Sequence, residues 1–540
     1  MKKILILGAG LMQKPAILAA KSLGLSSVVV DGNPSAVCVP LADEFVHVDL
    51  KDRAALLELA RTIGSDLAGV FTAGTDFSAS VAYVAENMGL PSHSFQSCLN
   101  ASDKVRMRGC FERARVPCPS FREVVRSQIG ELEKEVVSGA VRFPKVVKPC
   151  DNMGGRGCRL VRSAEEFLPA VEESVKNSRT SRAIFEDYMD GAEFSIDSIV
   201  YNGTLTITGF ADRHIFYPPY FIEMGHSLPS EVDSRIKNEL IATFALGIKA
   251  LGLTCGVAKA DIKYTKDGPM IGEIAARLSG GYMSGWTFPY SSGMNLTEEA
   301  MKIAAGLEPD YVLANRKSLP WEPHDSVKDM EQPFELFEMR SSLVSAERAW
   351  VSIPGVVREV CGLDDASGIY GVKDVLPRVK SGDRVDFPRN NVEKCGNIIA
   401  VALDRRTAYR SAEDAVSSIT LRLEPCNEAT DKFLSGGCEK DEAGFPVPAF
   451  TLPQPAEDVR KSFAYSRTIP AGKPVRPLLP EPLEALAGSL RDWNHCTLSF
   501  TLEKFDRLCP NHPELDGAGF WNAVLRGGIQ GALYFADCRK

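Results

Sequence analysis

Fourteen cysteines are scattered along 540 residues without one Cys-x-x-Cys pair. That absence speaks against zinc ribbons and thiol–disulfide redox motifs, and the thiols are expected to be mostly buried, reduced and cytoplasmic. No apolar run approaches the roughly 18 residues of a membrane-spanning helix. The apolar stretch behind the basic start MKKILILGAG stops at Gly8, too short for a signal-peptide core. Positive charge is not in excess. A net charge of −8 argues against a protein that grips nucleic acid through a basic surface. Two phosphate-binding signatures are also incomplete. Gly8-Ala9-Gly10 lacks the third glycine of the dinucleotide fingerprint, with Gln13 in its place, and no Gly-Lys-Ser/Thr precedes a helix.

What is present is the composition of a soluble globular chain, 44 % hydrophobic and 24 % charged, long enough for about three to four domains. Ile4–Leu7 is a continuous apolar run, as expected of a strand buried on both faces. A glycine turn, a helix over 15–23 and a second buried strand over 27–30 follow, then a strand over 69–72 and a helix over 78–88. This alternation predicts a doubly wound parallel-sheet domain over residues 1–95. A helix over 102–115 comes next, with Asp103 in its first turn.

Phe143-Pro-Lys-Val-Val-Lys148-Pro149 reads as a strand that delivers Lys148 into the loop CDNMGGRGC. Gly154, Gly155 and Gly157 would let backbone N–H groups approach phosphate oxygens, with Lys148 and Arg156 supplying positive charge. The bland alternative is a flexible hairpin tip. Further on, Glu186 and Glu193 bracket a short turn between strands, a place for adenine and ribose hydroxyls.

The stretch TCGVAKADIKYTKDGPMIGEIAARLSGG, 254–281, reads as two strands joined at Lys266-Asp267-Gly268. Alternation puts Lys259, Asp261 and Lys263 on one face of the first strand, and Glu273 with Arg277 on one face of the second. A three-residue loop would pair Thr265 with Pro269 and set Asp261 across from Glu273. Facing carboxylates repel, so a hard divalent cation between them, magnesium with a triphosphate, is the economical reading. A solvated mixed-charge hairpin, neutralised by Lys259 and Arg277, is the other.

Lys104, Lys148-Pro149 with its glycine loop, Glu186 to Glu193, and Asp261, Glu273 and Arg277 occur in the order and spacing of the ATP-grasp superfamily. Residues 256–281 most resemble its carboxylate–amine ligase branch, which includes L-amino-acid ligases, and the resemblance extends over roughly residues 1–425. It implies an ATP-grasp fold over 96–325, two α+β subdomains clamping ATP, with the lid subdomain at about 118–185. A small C-terminal α/β subdomain would occupy 331–425, and 426–540 would be a linker and accessory tail whose amphipathic end packs against the main body.

Roles follow from the resemblance position by position. Lys104 and Lys148 would hold ATP phosphates, and Gly154, Gly155, Arg156 and Gly157 the lid. Glu186 and the backbone near Tyr188 would read adenine, and Glu193 the ribose. Asp261 and Glu273 would bind Mg2+, with Mn2+ as an alternative, and Arg277 would sit on the transferring phosphoryl group. Glu223 and His226, a Glu-x-x-His after the aromatic run HIFYPPYF, would touch the substrate; Tyr217 and Tyr220 are pocket walls or core. Two departures stand out: Asp261 replaces the family's usual glutamate, and Ala275 its asparagine, which leaves open one metal position or two. The implied activity is an ATP-dependent ligase that phosphorylates a small carboxylate and passes it to an amine, without nucleic acid or membrane partners, a homo-oligomer being left open. A bicarbonate-using carboxylase and a nucleotide-binding regulator without turnover are the alternatives. No nucleophile stands beside a general base in the sequence, so a covalent acyl-enzyme is not expected.

Overall fold

The computed structural model describes residues 1–436, 448–452 and 468–539. The chain divides into two units: Met1–His214 with His226–Ser345, and Ile215–Gly225 with Ala346–Lys540.

In the first unit the apolar runs form the expected parallel sheet. Strands β1 (Lys3–Leu7), β2 (Ser26–Asp31), β3 (Glu44–His47) and β4 (Leu67–Phe71) lie in the order β3-β2-β1-β4. Helix α1 (Lys14–Ser22) covers one face; α2 (Arg53–Ile63) and α3 (Ser78–Met88) cover the other. Burial on both faces is why these strands are apolar throughout rather than alternating. The turn after β1 is filled from within. Gln13 is fully buried, its Oε1 accepting the Ala73 N–H at 2.9 Å and its Nε2 donating to Thr72 Oγ1 at 3.3 Å. Asp31 Oδ2 accepts the Ala9 N–H at 2.7 Å.

Helices α4 (Phe95–Ser102) and α5 (Lys104–Ala114) lead into the next layer. Asp103 caps α5, accepting N–H groups of Val105 and Arg106. A small α+β subdomain follows, over the segment expected to be a lid: β5 (Phe121–Val125), α6 (Ile129–Val137), β6 (Lys145–Pro149), β7 (Arg159–Val161), α7 (Ala164–Asn177) and β8 (Arg182–Asp187). Its four strands are antiparallel in the order β5-β8-β6-β7, and α6 and α7 close a small core of their own around Val147, Phe167 and Phe185.

The larger sheet holds β9 (Gly191–Tyr201), β10 (Thr204–Phe216), β11 (Ile222–Leu228), β12 (Gly256–Thr265) and β13 (Gly268–Ala275); within the first unit its order begins β13-β12-β9-β10. Helix α8 (Ser234–Leu251) packs on one face of β12 and β13, where Ala258, Ala260, Ile262, Ile271 and Ile274 are buried against it. It comes so close at Gly247 that an added Cβ would lie 2.5 Å from the Ile271 side chain. The face turned away from α8 carries the polar residues.

In the second unit Val372–Pro377 and Gly396–Ala402 pair antiparallel under the helix Arg405–Ser418. Gly355–Cys361 pairs with both Arg384–Val385 and Thr420–Leu423. The last helix, Gly517–Asp537, packs on Thr420–Leu423 and on the helix Glu428–Ser435. Residues on both sides of the expected boundary at 425 lie in this unit. Of the expected linker, residues 437–447 and 453–467 lie outside the described residues.

Candidate active site

Three neighbouring strands build the polar face in registered rows. Asp261 stands opposite Ser195 on β9 and Glu273 on β13; Lys259 stands opposite Asp197 and Ala275; Lys263 stands opposite Glu193 and Met270. The opposition of Asp261 and Glu273 is the expected one, but the chain reaches it differently. The turn is one residue tighter, pairing Thr265 with Gly268, and a bulge at Gly272 between Ile271 and Glu273 restores the register.

Cations surround this carboxylate pair. Lys259 Nζ bonds Asp261 Oδ2, Arg213 lies 3.2 Å from Asp261 Oδ1, and Lys104 Nζ lies 3.7 Å from Glu273. Burial alone would raise the Glu273 pKa, but Lys104 and Lys259 outweigh it and hold the carboxyl below its ordinary value. Burial likewise opposes the charge on Lys104, yet Glu273 and Asp76 raise its pKa overall. Both groups are thus charged at neutral pH. Among the described residues no cluster of three or more His, Cys, Asp or Glu side chains could hold a metal ion. Two facing carboxylates with no protein cage suit magnesium, which commonly takes one or two carboxylates and fills its shell with phosphate oxygens and water.

Glu186, expected at adenine, is 2 % exposed and clamped by two cations: Arg108 Nε at 2.7 Å and Lys148 Nζ at 2.6 Å. Burial pushes its pKa up, and Arg108 and Lys148 overcome that and bring it to about 2. Arg108, which sequence reasoning did not single out, is fully buried and also donates to the Gly272 carbonyl oxygen at 2.7 Å. It joins lid strand β8 to the bulge of β13. The signal was its place one helical turn after Lys104 on α5, where i and i+4 share a face. Arg213 was missed too; it bonds Glu193, the expected ribose ligand, while Lys263 lies 3.2 Å from the same carboxylate. Lys263 also sits 5.4 Å from the centre of the Tyr188 ring.

The glycine loop between β6 and β7 has Gly154, Gly155 and Gly157 at φ of 72°, 76° and 67°, a region open to glycine at no steric cost. Lys104 donates to Asn152 O at 3.0 Å, tying α5 to this loop. Arg156 reaches back to Met153 O at 3.5 Å. Cys158 at the base of the loop is not an activated nucleophile: burial pushes its thiol up to about 11, against the opposite pull of Lys148 and Lys104.

Arg277 follows β13 and is 8 % exposed; its Nη1 donates to Leu278 O at 3.0 Å, while its Nε has no hydrogen-bond partner. Asp197, also missed, is fully buried. Its Oδ2 accepts from Ser284 Oγ at 2.6 Å and its Oδ1 has no partner. Burial raises its pKa to about 6, although Ser284, Lys259 and Arg277 all pull the other way.

The Glu-x-x-His is not brought together as a pair. Glu223 and His226 lie three apart on strand β11, so they point to opposite faces. Both are buried, Glu223 belongs to the second unit and His226 to the first. Within the second unit, the Glu223 backbone is held by Asn391 Oδ1 and Lys394 Nζ at 2.8 and 2.6 Å. Tyr220 is core, 3 % exposed, and Tyr217 meets the Phe387 ring edge-on at 5.3 Å.

Residues 141–285, which carry the glycine loop, the clamped Glu186 and the carboxylate hairpin, match the ATP-grasp domain family. Residues 141–285 are therefore an ATP-grasp domain. Residues 1–70 match the ribonucleotide synthetase preATP-grasp domain, and residues 349–424 match L-amino acid ligase C-terminal domain 2. The chain is similar to protein y4rH of Sinorhizobium fredii, 24 % identical over 77 % of this chain and 81 % of that one. It is 25 % identical to human carnosine synthase 1 over 57 % of this chain, an alignment that spans 40 % of the synthase's own length. Among solved structures, L-amino acid ligase from Bacillus licheniformis shares the fold with a TM-score of 0.64 at 19 % identity, over 78 % of this chain and 99 % of that one.

Proposed function

We propose that this protein is an ADP-forming carboxylate–amine ligase. The observation that carries the reading is the registered face of β9, β12 and β13, where two facing carboxylates are ringed by Lys104, Lys259 and Arg213 and followed by Arg277. The match of residues 349–424 to an L-amino acid ligase domain favours an amine over bicarbonate as the second partner.

In this reading the glycine loop and Lys148 hold the phosphates of ATP, and Lys104 bridges the loop to the carboxylate pair. Asp261 and Glu273 would hold magnesium, which would neutralise phosphate charge. The γ-phosphoryl group passes to an oxygen of the substrate carboxylate; the β–γ bridging oxygen leaves with ADP. Arg277, with an unengaged Nε, donates to the oxygens on which negative charge gathers. The amine then attacks the acyl carbon, phosphate leaves, and the amine's proton passes to solvent or phosphate. His226, in the first unit with the carboxylate pair, is assigned to the carboxylate substrate's surroundings on resemblance, and Glu186, Tyr188 and Glu193 to the nucleoside end of the ATP site. The raised pKa values of Cys150, Cys158 and Cys255 support direct transfer without an acyl-enzyme.

The test is a screen of carboxylates with hydroxylamine as the amine, in the presence of ATP and magnesium. The expected products are a hydroxamate with ADP and phosphate in equal amounts. AMP with pyrophosphate would replace the phosphoryl mechanism by adenylation, and ADP release with bicarbonate alone would make the protein a carboxylase.

A further inference from the structure

Cys426 is the exposed member of the described cysteines, and it sits in a left-handed backbone conformation, φ 56°, just ahead of the helix Glu428–Ser435. Its backbone N–H donates to Sγ of Cys538 at 3.2 Å, across 112 residues of sequence. Cys538 caps the C-terminal end of the helix Gly517–Asp537. The two segments are fixed on each other by bonds on both sides of the thiols. Tyr534 accepts the Asn427 N–H at 2.7 Å and lies 2.7 Å from Asp431 Oδ1. Asp537, 2 % exposed in its side chain, takes both nitrogens of an Arg422 fork at 2.8 Å and an Arg358 nitrogen at 3.0 Å. The cysteines are therefore brought side by side by contacts that do not involve them.

We propose that Cys426 and Cys538 are a redox-modification site that closes to a disulfide. The oxidant is a low-molecular-weight disulfide such as oxidised glutathione. The exposed Cys426 loses its proton to solvent and attacks one glutathione sulfur; the glutathione S–S bond breaks, and one glutathione leaves as thiolate and takes up a proton. Cys538, as thiolate, then attacks the Cys426 sulfur of the mixed disulfide and releases the second glutathione, which is protonated in turn. Two protein thiols are oxidised and one glutathione disulfide is reduced to two thiols. Burial raises the Cys538 pKa, partly offset by the Cys426 N–H and the Tyr534 hydroxyl, which fits Cys538 as the resolving rather than the attacking thiol. The flanking contacts hold the two segments together, and the bridge would constrain a long loop of the unfolded chain.

The test uses the full chain, equilibrated in glutathione buffers from fully reduced to fully oxidised, alkylated, and digested without reductant. The expected result is a loss of about 2 Da and a linked peptide pair joining Cys426 to Cys538, reversed by reduction, with a thermal midpoint about 3 °C or more higher in the oxidised form. Cys538→Ser should instead accumulate glutathione on Cys426 and lose the shift; Cys426→Ser should show neither. Wild type carrying glutathione on Cys426 but no link would overturn the proposal. So would a link from Cys426 to any other cysteine, or an oxidised form that melts lower than the reduced one. None of these readings depends on the ligase reaction.

Discussion

Two glycine turns follow buried strands in this molecule, and they have opposite fates. The first, Gly8-Ala9-Gly10 after β1, is occupied by the protein itself: the Gln13 amide fills the concavity, and Asp31 takes an N–H of the turn. The second, Gly154 to Gly157 after β6, is bordered by Lys148 and Arg156, and Lys104 reaches it from α5. Both begin from the same local chemistry, a glycine-permitted turn at a strand end. What separates them is the side chain nearest each turn: an amide that packs against Gly8 and is tied to Ala73 and Thr72, against cations gathered beside the second.

The largest expected effect lies downstream of the second turn. Asp261→Asn and Glu273→Gln should each lower magnesium-dependent turnover by about 100-fold or more, with the circular-dichroism spectrum unchanged. Near-normal turnover in either variant would take the carboxylate pair out of the magnesium site. Arg108→Met should be costly to stability, on the order of 3–5 kcal/mol in denaturant titrations, because it leaves a buried carboxylate with one cation instead of two. A loss below about 1 kcal/mol would show that Lys148 alone suffices to hold Glu186.

Gln13→Ala tests the filled turn. It should lower stability by about 1–3 kcal/mol through the unsatisfied Ala73 N–H, while leaving ATP affinity by calorimetry as in wild type. In the same protein, limited proteolysis between Met153 and Gly157 should slow about tenfold when ATP and magnesium are added. An affinity loss in the Gln13 variant, or equal cleavage with and without nucleotide, would break the contrast between the turns.

The smallest effect is a pH dependence at Asp197, on the strand beside the carboxylate pair. Its pKa in the folded chain, about 6, lies above the usual carboxyl value of 3.8. Folding therefore binds a proton between those values, and the contribution of Asp197 to stability is highest below about pH 4 and falls as pH rises through about 6. Asp197→Asn removes that slope. The variant should gain on wild type in melting temperature by a few degrees between pH 4 and pH 7; parallel curves would place the Asp197 charge in a better-satisfied state than its lone Oδ1 implies.

The parts legible in the sequence were those set by periodicity. Buried parallel strands announce themselves as apolar runs, and a two-residue period placed Asp261 across from Glu273. Position along a strand also shows why Glu223 and His226 resisted reading: a Glu-x-x-His suggests a joint contact only until both residues are known to lie on one extended strand. Asp197 left no signal and Arg108 only its helical spacing from Lys104, for another reason. An arginine on a polar helix and an aspartate in a strand are ordinary surface residues by pattern, and only long-range packing, Arg108 against Glu186 and Gly272, Asp197 against Ser284 and Lys259, takes them out of water. Packing of the amphipathic end was expected; which strand it meets was not, because the contact of Gly517–Asp537 with Thr420–Leu423 spans about a hundred residues and leaves no local trace.

The bulge at Gly272 bears on how this arm tolerates changes in length. In a regular hairpin, one residue more or fewer between turn and functional side chain turns that side chain to the opposite face. Here a short turn and one extra residue cancel, so Glu273 keeps its place across from Asp261. Excising Gly272 would leave an uninterrupted ladder with the glutamate still facing Asp261, and would remove only the carbonyl that Arg108 holds. The spacing of the two acids and the anchoring of the lid are thus separable by a single-codon deletion, a step through which relatives of different hairpin length can be reached without passing through a form in which the acids point apart.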